Sequence, residues 1–296
     1  SNKKSSCSRS SDYFIMIIWI ASYPKSGNTW LRSLLCNYFF SVDGTFNFKL
    51  LKNINSFPSE HNFEKYDDKF ENPEDTAKYW IREQEKINEQ KKVKFLKTHN
   101  AFCRINNYNF TNSQNTLGAI YLIRDPRNVI TSLANHYQIK TEDALQFMKD
   151  EKRGIVSKIN NRYVGFQPLL SWSLNHKSWL NQKSFPVHLV RYEDLEIQTY
   201  ETFISILEFI KNLRSDTSLI DKAKAKKCVE NCSFDKLKKE EDTSGFPEAI
   251  NKKGNNEKIK FFNLGIKNNY KNILDKNILS QMNEIFKDEI KEYRYE

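Results

Sequence analysis

Four short runs of almost unbroken apolar residues alternate along the chain with segments in which apolar residues recur every three or four positions. The runs cover residues 14–21, 93–96, 119–123 and 187–190. Continuous apolar runs of this length are typical of parallel strands that are buried on both faces of a sheet. The pattern therefore predicts an α/β fold with a central parallel sheet flanked by helices.

The helices are predicted from apolar periodicity. One helix face follows the first run, at positions 30, 31, 34, 35, 38 and 39, and another follows the third run, at positions 129, 130, 133 and 137. Further helices are predicted over residues 73–89, 202–213, 219–230 and 279–293, and the polar residues 243–256 predict a mobile loop. We expect one domain over residues 13–296, after a disordered tail over residues 1–12.

Composition limits the classes of protein that fit. A chain of 296 residues with 39% hydrophobic content can bury a full core. The net charge of +10 favours polyanionic ligands, although lysine and asparagine richness also follows from nucleotide composition bias. The first apolar run is far shorter than the roughly 20 residues that cross a bilayer, so we expect no membrane span. Five cysteines at irregular spacing predict reduced thiols and a cytoplasmic location.

The segment between the first apolar run and the first helix, residues 23–30, predicts an anion site. It reads Tyr-Pro-Lys-Ser-Gly-Asn-Thr-Trp, and a turn from a buried strand into a helix leaves backbone amides and the positive helix end facing outward. Lys25, Ser26 and Thr29 add a charge and two hydroxyls, which suit phosphate or sulfate. The alternative is an ordinary turn with a solvated lysine. Lys25 precedes Gly27 by two positions, so the segment is not a Walker A loop.

A second anion site is predicted where the third run meets Arg-Asp-Pro-Arg-Asn. Arg124 would lie at the carboxyl end of a parallel strand, where the ligands of open α/β sheets bind. Ser132 follows about two helical turns later and could share the anion. Asp125 resembles a Walker B magnesium ligand, but with Pro126 next to it we favour a helix-capping carboxylate. The alternative for the arginines is a surface ion pair.

The third segment, Lys97-Thr98-His99, runs from the second apolar run into a polar end. A lone histidine is more often structural, but one at a strand end near two predicted phosphate sites is placed for proton transfer. Among the five histidines, His188 falls within a predicted strand and is interpreted as structural. His99 is therefore the candidate base. No acidic cluster has metal-ligand spacing, so we expect no metal ion.

In order and spacing, these three motifs resemble those of the sulfotransferases that use 3′-phosphoadenosine 5′-phosphosulfate (PAPS), notably the cytosolic type. Residues 23–30 resemble the family's 5′-phosphosulfate loop, with Asn28 in place of a usual threonine. The resemblance implies a P-loop-kinase-like sulfotransferase architecture with PAPS as co-substrate. It implies that Lys25 stabilises the leaving oxygen, that Lys97 stabilises the sulfuryl oxygens and that His99 takes the acceptor proton. The nucleotide contacts that it implies are Lys25, Ser26, Gly27, Asn28, Thr29, Trp30, Arg124, Ser132, Tyr192, Phe234 and Gly265.

The resemblance extends less strongly over the rest of the chain. Tyr192 matches a tyrosine that approaches the nucleotide, and Phe234 matches a phenylalanine that stacks on adenine opposite Trp30. Near the C-terminus only Gly265 is kept, and Tyr270 replaces a tryptophan.

The family's Arg-Lys pair, which would grip the 3′-phosphate, is missing from this C-terminal segment. We hypothesise that Lys258, Lys260 or Lys267 supplies its charge.

The expected acceptor is a small molecule or glycan that carries a hydroxyl or amine, and no nucleic-acid partner is expected. Aromatic side chains could line an apolar acceptor pocket, although such residues are more often core: Phe39, Phe40, Trp80, Phe102 and Tyr137. Two other functions stay open. One is a metal-dependent kinase that shares the strand, loop and helix, and the other is a basic polyanion-binding module without catalysis. The oligomeric state stays open as well.

Overall fold

A computed structural model describes residues 16–90, 92–252, 254 and 257–295, so the expected tail over residues 1–12 lies outside the described residues. The strands are β1 Ile17–Ser22, β2 Lys94–Thr98, β3 Arg104–Ile105, β4 Tyr108–Asn109, β5 Thr116–Ile123, β6 Gly154–Ile159, β7 Arg162–Pro168 and β8 Val187–Arg191. Four of them pair in parallel in the order β2-β1-β5-β8. These four correspond to the four apolar runs, so the predicted central parallel sheet is confirmed.

Helices surround this sheet. The α-helices are α1 Asn28–Phe40, α2 Glu60–Phe63, α3 Trp80–Asn88, α4 Pro126–Tyr137, α5 Thr141–Lys149, α6 Trp172–Asn181, α7 Tyr192–Ile197, α8 Thr199–Leu213, α9 Lys222–Asn231, α10 Phe234–Ser244, α11 Tyr270–Ile273, α12 Lys276–Ile285 and α13 Lys287–Glu292. Short 3-10 helices cover Phe48–Asn53, Pro73–Tyr79 and Gly265–Lys267.

Alternate residues of β1 face two separate cores. Ile17, Trp19 and Ala21 pack with residues of α4, α5, α6 and α12, whereas Ile18 and Ile20 pack with residues of α1, α8 and α9. All five side chains are fully buried. Because strand side chains point alternately to opposite faces, both faces of the sheet need a helical cover. The described residues therefore form a single α/β domain.

Several element bounds differ from the sequence prediction. The helix predicted over residues 73–89 begins as a 3-10 helix and becomes α3 only at Trp80. The helix predicted over residues 279–293 is interrupted at Phe286, whose ring packs edge-on against Trp172 at 5.2 Å. This buried contact breaks the helix into α12 and α13. The first two residues of the predicted loop at 243–256 belong to α10.

The antiparallel hairpin of β6 and β7 was not predicted. Its turn, Asn160-Asn161, has two positive φ angles of 50° and 65°. Consecutive asparagines with left-handed backbone are typical of two-residue hairpin turns. This pair was the sequence signal that could have predicted the hairpin.

Candidate active site

The sheet brings the three predicted motifs together at one edge. Ala21 of β1 lies opposite Thr98 of β2, and Ser22 lies opposite Leu122 of β5. The segments that follow these strands therefore emerge side by side at the carboxyl edge of the sheet. They border a cavity of about 620 Å³, and every predicted site residue except Ser26 lines it. The three motifs thus form one candidate site.

Close packing shapes the loop between β1 and α1. Lys25 and Gly27 have positive φ angles of 69° and 95°. A Cβ atom on Gly27 would lie 2.4 Å from Cδ2 of Tyr192, so glycine is needed beneath that ring. The side-chain amide of Asn28 donates to the Ile20 carbonyl at 3.0 Å and to the hydroxyl of the last β1 residue at 3.1 Å. The loop is therefore tied to β1, and the N-terminus of α1 borders the cavity.

Ser26 differs from the other predicted contacts. Its side chain does not line the cavity, and its buried hydroxyl has no hydrogen-bond partner among the described residues. The Nε atom of Arg124 is likewise buried and without a partner in the described part of the chain. An unsatisfied buried polar atom costs about 1–3 kcal/mol, and a ligand that forms a hydrogen bond with it removes that cost.

Three cations, Lys25, Lys97 and Arg124, converge on the cavity from three different segments. Burial, and then the charges of Arg124 and Lys97, lower the pKa of Lys25 to about 7. The ammonium of Lys25 lies 4.1 Å from the ring centroid of Phe261. Arg124 Nη1 donates to the Lys25 carbonyl at 3.2 Å, and its guanidinium lies 4.0 Å from the ring centroid of Tyr192. Because each of these positive charges disfavours the charged form of its neighbours, an anion bound among them would be stabilised.

Two carboxylates, Glu196 and Glu248, line the cavity, and Glu248 lies beside Lys97. Its Oε2 lies 3.9 Å from Lys97 Nζ, and its Oε1 accepts a hydrogen bond from Arg32 Nη1 at 2.8 Å. Burial alone would raise the pKa of Glu248, but Lys97 and Arg32 together lower it. The carboxylate therefore stays ionised at neutral pH. Sequence reasoning missed Glu248 because it lies in the irregular segment after α10 and belongs to no motif.

His99 is held in a defined orientation at the end of β2. Its Nδ1 lies 2.8 Å from the Ser22 carbonyl oxygen, which can only accept, so Nδ1 carries the proton. The backbone N–H of His99 donates to Gln167 Oε1 at 3.2 Å, and its carbonyl accepts from Asn175 Nδ2 at 3.0 Å. Burial, and then the charge of Lys97, hold the pKa of His99 well below its usual range. Its Nε2 is therefore an unprotonated acceptor at neutral pH.

Aromatic rings line another part of the cavity. Trp30 Nε1 donates to the Cys232 carbonyl at 2.9 Å, and its ring meets Tyr192 edge-on at 5.7 Å. Gly265 has a φ angle of 55°, and a Cβ atom there would lie 2.6 Å from the ring of Phe234. These contacts fix aromatic faces on which a flat base can stack.

The three lysines considered as replacements for the missing Arg-Lys pair occupy different places. Lys260 lines the cavity and pairs with Asp242. Lys258 lies outside the cavity lining, and its Nζ donates to the Ala249 carbonyl at 2.8 Å. Lys267 does not line the cavity either. Lys260 is therefore the best placed of the three.

Asp125 caps α4, as the sequence predicted. Its carboxylate accepts a hydrogen bond from the backbone N–H of Arg127 at 2.9 Å and forms an ion pair with the Arg127 guanidinium at 2.8 Å. The guanidinium also lies 4.1 Å from the ring centroid of Tyr270. The Asp125 N–H donates to Glu193 Oε1 at 3.0 Å, and burial raises the pKa of Glu193 to about 7. The helix-capping interpretation of Asp125 is confirmed.

His136 and Phe261 are among the further residues of the cavity wall that were not predicted. His136 follows Ser132 by one helical turn, and this spacing on α4 was the available signal. Burial, and then the charges of Lys25 and Lys97, lower the pKa of His136 to about 3. Of the five aromatic residues considered for an acceptor pocket, only Tyr137 lines the cavity.

Two general findings concern the described part of the chain. None of its helices combines the length and apolar character that crossing a bilayer requires. Four cysteines are free thiols, namely Cys36, Cys103, Cys228 and Cys232. The fifth, Cys7, lies outside the described residues.

Comparison with known proteins adds one match. A protein-family model described as a sulfotransferase domain matches residues 17–294. The matched range contains all four strands of the parallel sheet and every residue of the candidate site. A search of curated proteins returns no match.

Proposed function

The chain belongs to the sulfotransferase family, a family of sulfuryl-transferring enzymes, and on that premise we propose that it uses PAPS as the donor and sulfates a hydroxyl or amine of a small-molecule or glycan acceptor. The observation that carries this proposal is the convergence of Lys25, Lys97 and His99 on one cavity from adjacent strand ends. The three side chains supply two amines, which carry positive charge when an anion is bound beside them, and one neutral base. This combination suits sulfuryl transfer to a hydroxyl, which needs charge stabilisation on the donor side and a proton acceptor on the acceptor side.

The residues present fit a nucleotide that carries phosphates at both ends. Arg124 lines the cavity, and its buried Nε has no partner within the described part of the chain, so it is available to contact a phosphate oxygen. Ser26 does not line the cavity, so a contact from its hydroxyl would need that side chain to turn towards the nucleotide. In this proposal the 5′-phosphosulfate lies at the N-terminus of α1, and Arg124 with Ser132 contacts the 3′-phosphate. Trp30 and Phe234 offer ring faces to the adenine. Lys260 would add positive charge near the 3′-phosphate, because it lines the cavity, whereas Lys258 and Lys267 do not.

The proposed reaction is an in-line displacement at sulfur. His99 Nε2 takes the acceptor proton as the acceptor oxygen attacks, because its Nδ1 is already bound to the Ser22 carbonyl. Lys97 stabilises the sulfuryl oxygens, and Lys25 stabilises the negative charge that develops on the leaving phosphate oxygen. The nucleotide product is 3′-phosphoadenosine 5′-phosphate (PAP). Phosphoryl transfer is the close physical analogue of this step.

A thermal-shift comparison tests the donor. At about 100 times Kd, PAP should stabilise the protein by about 2.7 kcal/mol, which raises Tm by about 4 °C in a chain of this length. ATP with Mg²⁺ should give no comparable shift. Lys25→Gln should lose the PAP shift, whereas Lys222→Gln, an exposed lysine of α9, should keep it. Stabilisation by ATP with Mg²⁺ alone would favour the kinase alternative.

Two further properties are not tested by this experiment. The cytoplasmic location that cysteine usage predicts stays a prediction. The disordered tail over residues 1–12 stays one as well.

A further inference from the structure

A second cavity of about 1070 Å³ lies against β2, next to the active-site cavity. Its walls come from β2, α3, the 3-10 helix Phe48–Asn53 and residues 55–62. One residue, Glu248, lines both cavities. The Phe57 N–H donates to the Lys97 carbonyl at 2.8 Å, so the wall of the second cavity is hydrogen-bonded to the strand that carries Lys97. The second cavity therefore lies at the Lys97 side of the active site.

The second cavity carries an excess of positive charge. Six cationic side chains line it, namely Arg32, Lys49, Lys52, Lys65, Lys86 and Lys94. The carboxylates that line it are Glu60, Glu83 and Glu248. Glu83 is 3% exposed and already pairs with Lys65 at 2.5 Å and with Lys86 at 2.9 Å.

Three of these lysines keep their charge available. Lys49, Lys52 and Lys94 form no ion pair within the described part of the chain. Lys49 and Lys52 are exposed and three positions apart on one 3-10 helix, so their side chains lie on the same face of it. They can bind an acidic group together.

We propose that the second cavity binds an acidic oligosaccharide whose acceptor hydroxyl reaches past Glu248 to His99. This inference rests on the proposed function, because it takes Lys97 and His99 as the acceptor side of the reaction. The donor's aromatic contacts, Trp30 and Phe234, line only the first cavity. A ligand of the second cavity therefore meets the reaction from the acceptor side.

Five of the remaining lining residues carry polar side chains that match a sugar chain. The cavity is also lined by side-chain amides and hydroxyls, namely Asn55, Ser56, Ser59, Asn62 and Gln90. Amides and hydroxyls both donate and accept, as sugar hydroxyls do, whereas the lysines match sulfate or carboxylate groups on the sugars. The volume of about 1070 Å³ lies just above the range of about 300–1,000 Å³ for small-ligand sites, which leaves room for several sugar units.

Glu248 adds a selection by charge at the junction. An ionised carboxylate repels the acidic groups of the bound chain and accepts a hydrogen bond from a neutral hydroxyl. The acidic groups therefore stay with Lys49 and Lys52, and a hydroxyl enters beside Lys97. This arrangement keeps a second anion away from the position of the donor's sulfuryl group.

Fluorescence anisotropy with a labelled chondroitin sulfate tetrasaccharide tests the inference. The variant Lys49→Glu/Lys52→Glu should weaken binding at least tenfold. The control Lys222→Glu/Lys226→Glu changes the net charge equally on exposed positions of α9 and should weaken binding less than twofold. The neutral variant Lys49→Gln/Lys52→Gln should also weaken binding. It is measured instead if the charge-reversal variant Lys49→Glu/Lys52→Glu does not fold. Labelled maltotetraose, which is uncharged, should bind at least tenfold more weakly than the sulfated probe.

Three results would overturn the inference. The first is equal weakening by the two charge-reversal pairs, which would mean attraction by net charge alone. The second is displacement of the tetrasaccharide by saturating PAP, which would place it in the donor site. The third is binding of labelled tetraglutamate that is tighter than binding of the tetrasaccharide and that depends on Lys49 and Lys52. This result would assign the cavity to an acidic peptide. Thermal shifts of the same proteins with PAP separate the failure of this inference from the failure of the proposed function. If PAP does not bind, the proposal of PAPS as donor is wrong, but the result for the tetrasaccharide is unaffected.

Discussion

Binding of PAP should take up a proton at Lys25. Burial, with the charges of Arg124 and Lys97, lowers the pKa of the free lysine to about 7, so about half of the free protein carries an uncharged Lys25 near neutral pH. A phosphate oxygen bound beside the ammonium favours the charged form and raises its pKa. The protein must then bind a proton together with the ligand, and the affinity for PAP should fall as pH rises above 7.

The size of the effect follows from the pKa. Below pH 7 the lysine is already charged, and its contribution to affinity should not change with pH. Above pH 7 the apparent Kd should rise about tenfold per pH unit for one proton taken up, as long as the bound lysine stays charged. Binding should therefore be about tenfold weaker at pH 8 than at pH 6, and about a hundredfold weaker at pH 9.

Isothermal titration calorimetry measures both quantities. Titrations between pH 6 and 9 give the Kd profile, and buffers with different ionisation enthalpies give the number of protons taken up. Lys25→Arg is the control, because arginine stays charged over this range and its profile reports only the titration of the ligand's phosphates. Parallel profiles for the wild type and Lys25→Arg, with no difference in proton uptake, would refute the reasoning.

Three further predictions concern other parts of the site. His99→Ala should lower kcat about 10²–10⁴-fold and leave the Kd for PAP within a few fold, because a general base acts on the chemical step; near-normal turnover would reject it as the base. Gly27→Ala should weaken PAP binding at least tenfold by displacing Tyr192, whereas Gly245→Ala, which has a φ angle of 71° and no atom within 4 Å of its Cβ, should not. Glu193→Gln should have a higher Tm than the wild type at pH values above 7 and the same Tm near pH 4. Its carboxyl has a folded pKa raised to about 7, so the stabilisation by the protonated form is lost as pH rises from about 4.5 to 7, and an equal effect of the variant at both pH values would contradict this.

The strands and the turn between β1 and α1 could be predicted from local sequence. The two central strands of the parallel sheet, β1 and β5, are nearly continuous apolar runs because both of their faces are buried, and this pattern needs no knowledge of distant residues. The capping role of Asp125 could also be predicted, because the carboxylate and the Pro126 that follows it act on the adjacent helix turn. Local chemistry determined these features.

Residues that reach the site through tertiary packing could not be predicted. Glu248 and Phe261 come from the irregular segment between α10 and the 3-10 helix at Gly265, where no periodicity marks which side chains turn inward. The break between α12 and α13 depends on the contact of Phe286 with Trp172, which lies more than a hundred residues away. In both cases, long-range packing overrides the local pattern.

The separation between Lys97 and Glu248 bears on how the site accepts its donor. At 3.9 Å the two charged groups attract, but the distance exceeds that of a hydrogen bond, so Lys97 is not locked to the carboxylate. Two hydrogen bonds from buried Arg32, at 2.8 and 3.1 Å, fix Glu248 instead. In the proposed reaction, an arriving sulfuryl oxygen would therefore compete only with a weak contact for Lys97, while the carboxylate keeps its partner. Lys97 could then move towards the proposed donor without leaving Glu248 unpaired. Arg32 is therefore the residue that allows a carboxylate to lie beside an anion-binding site.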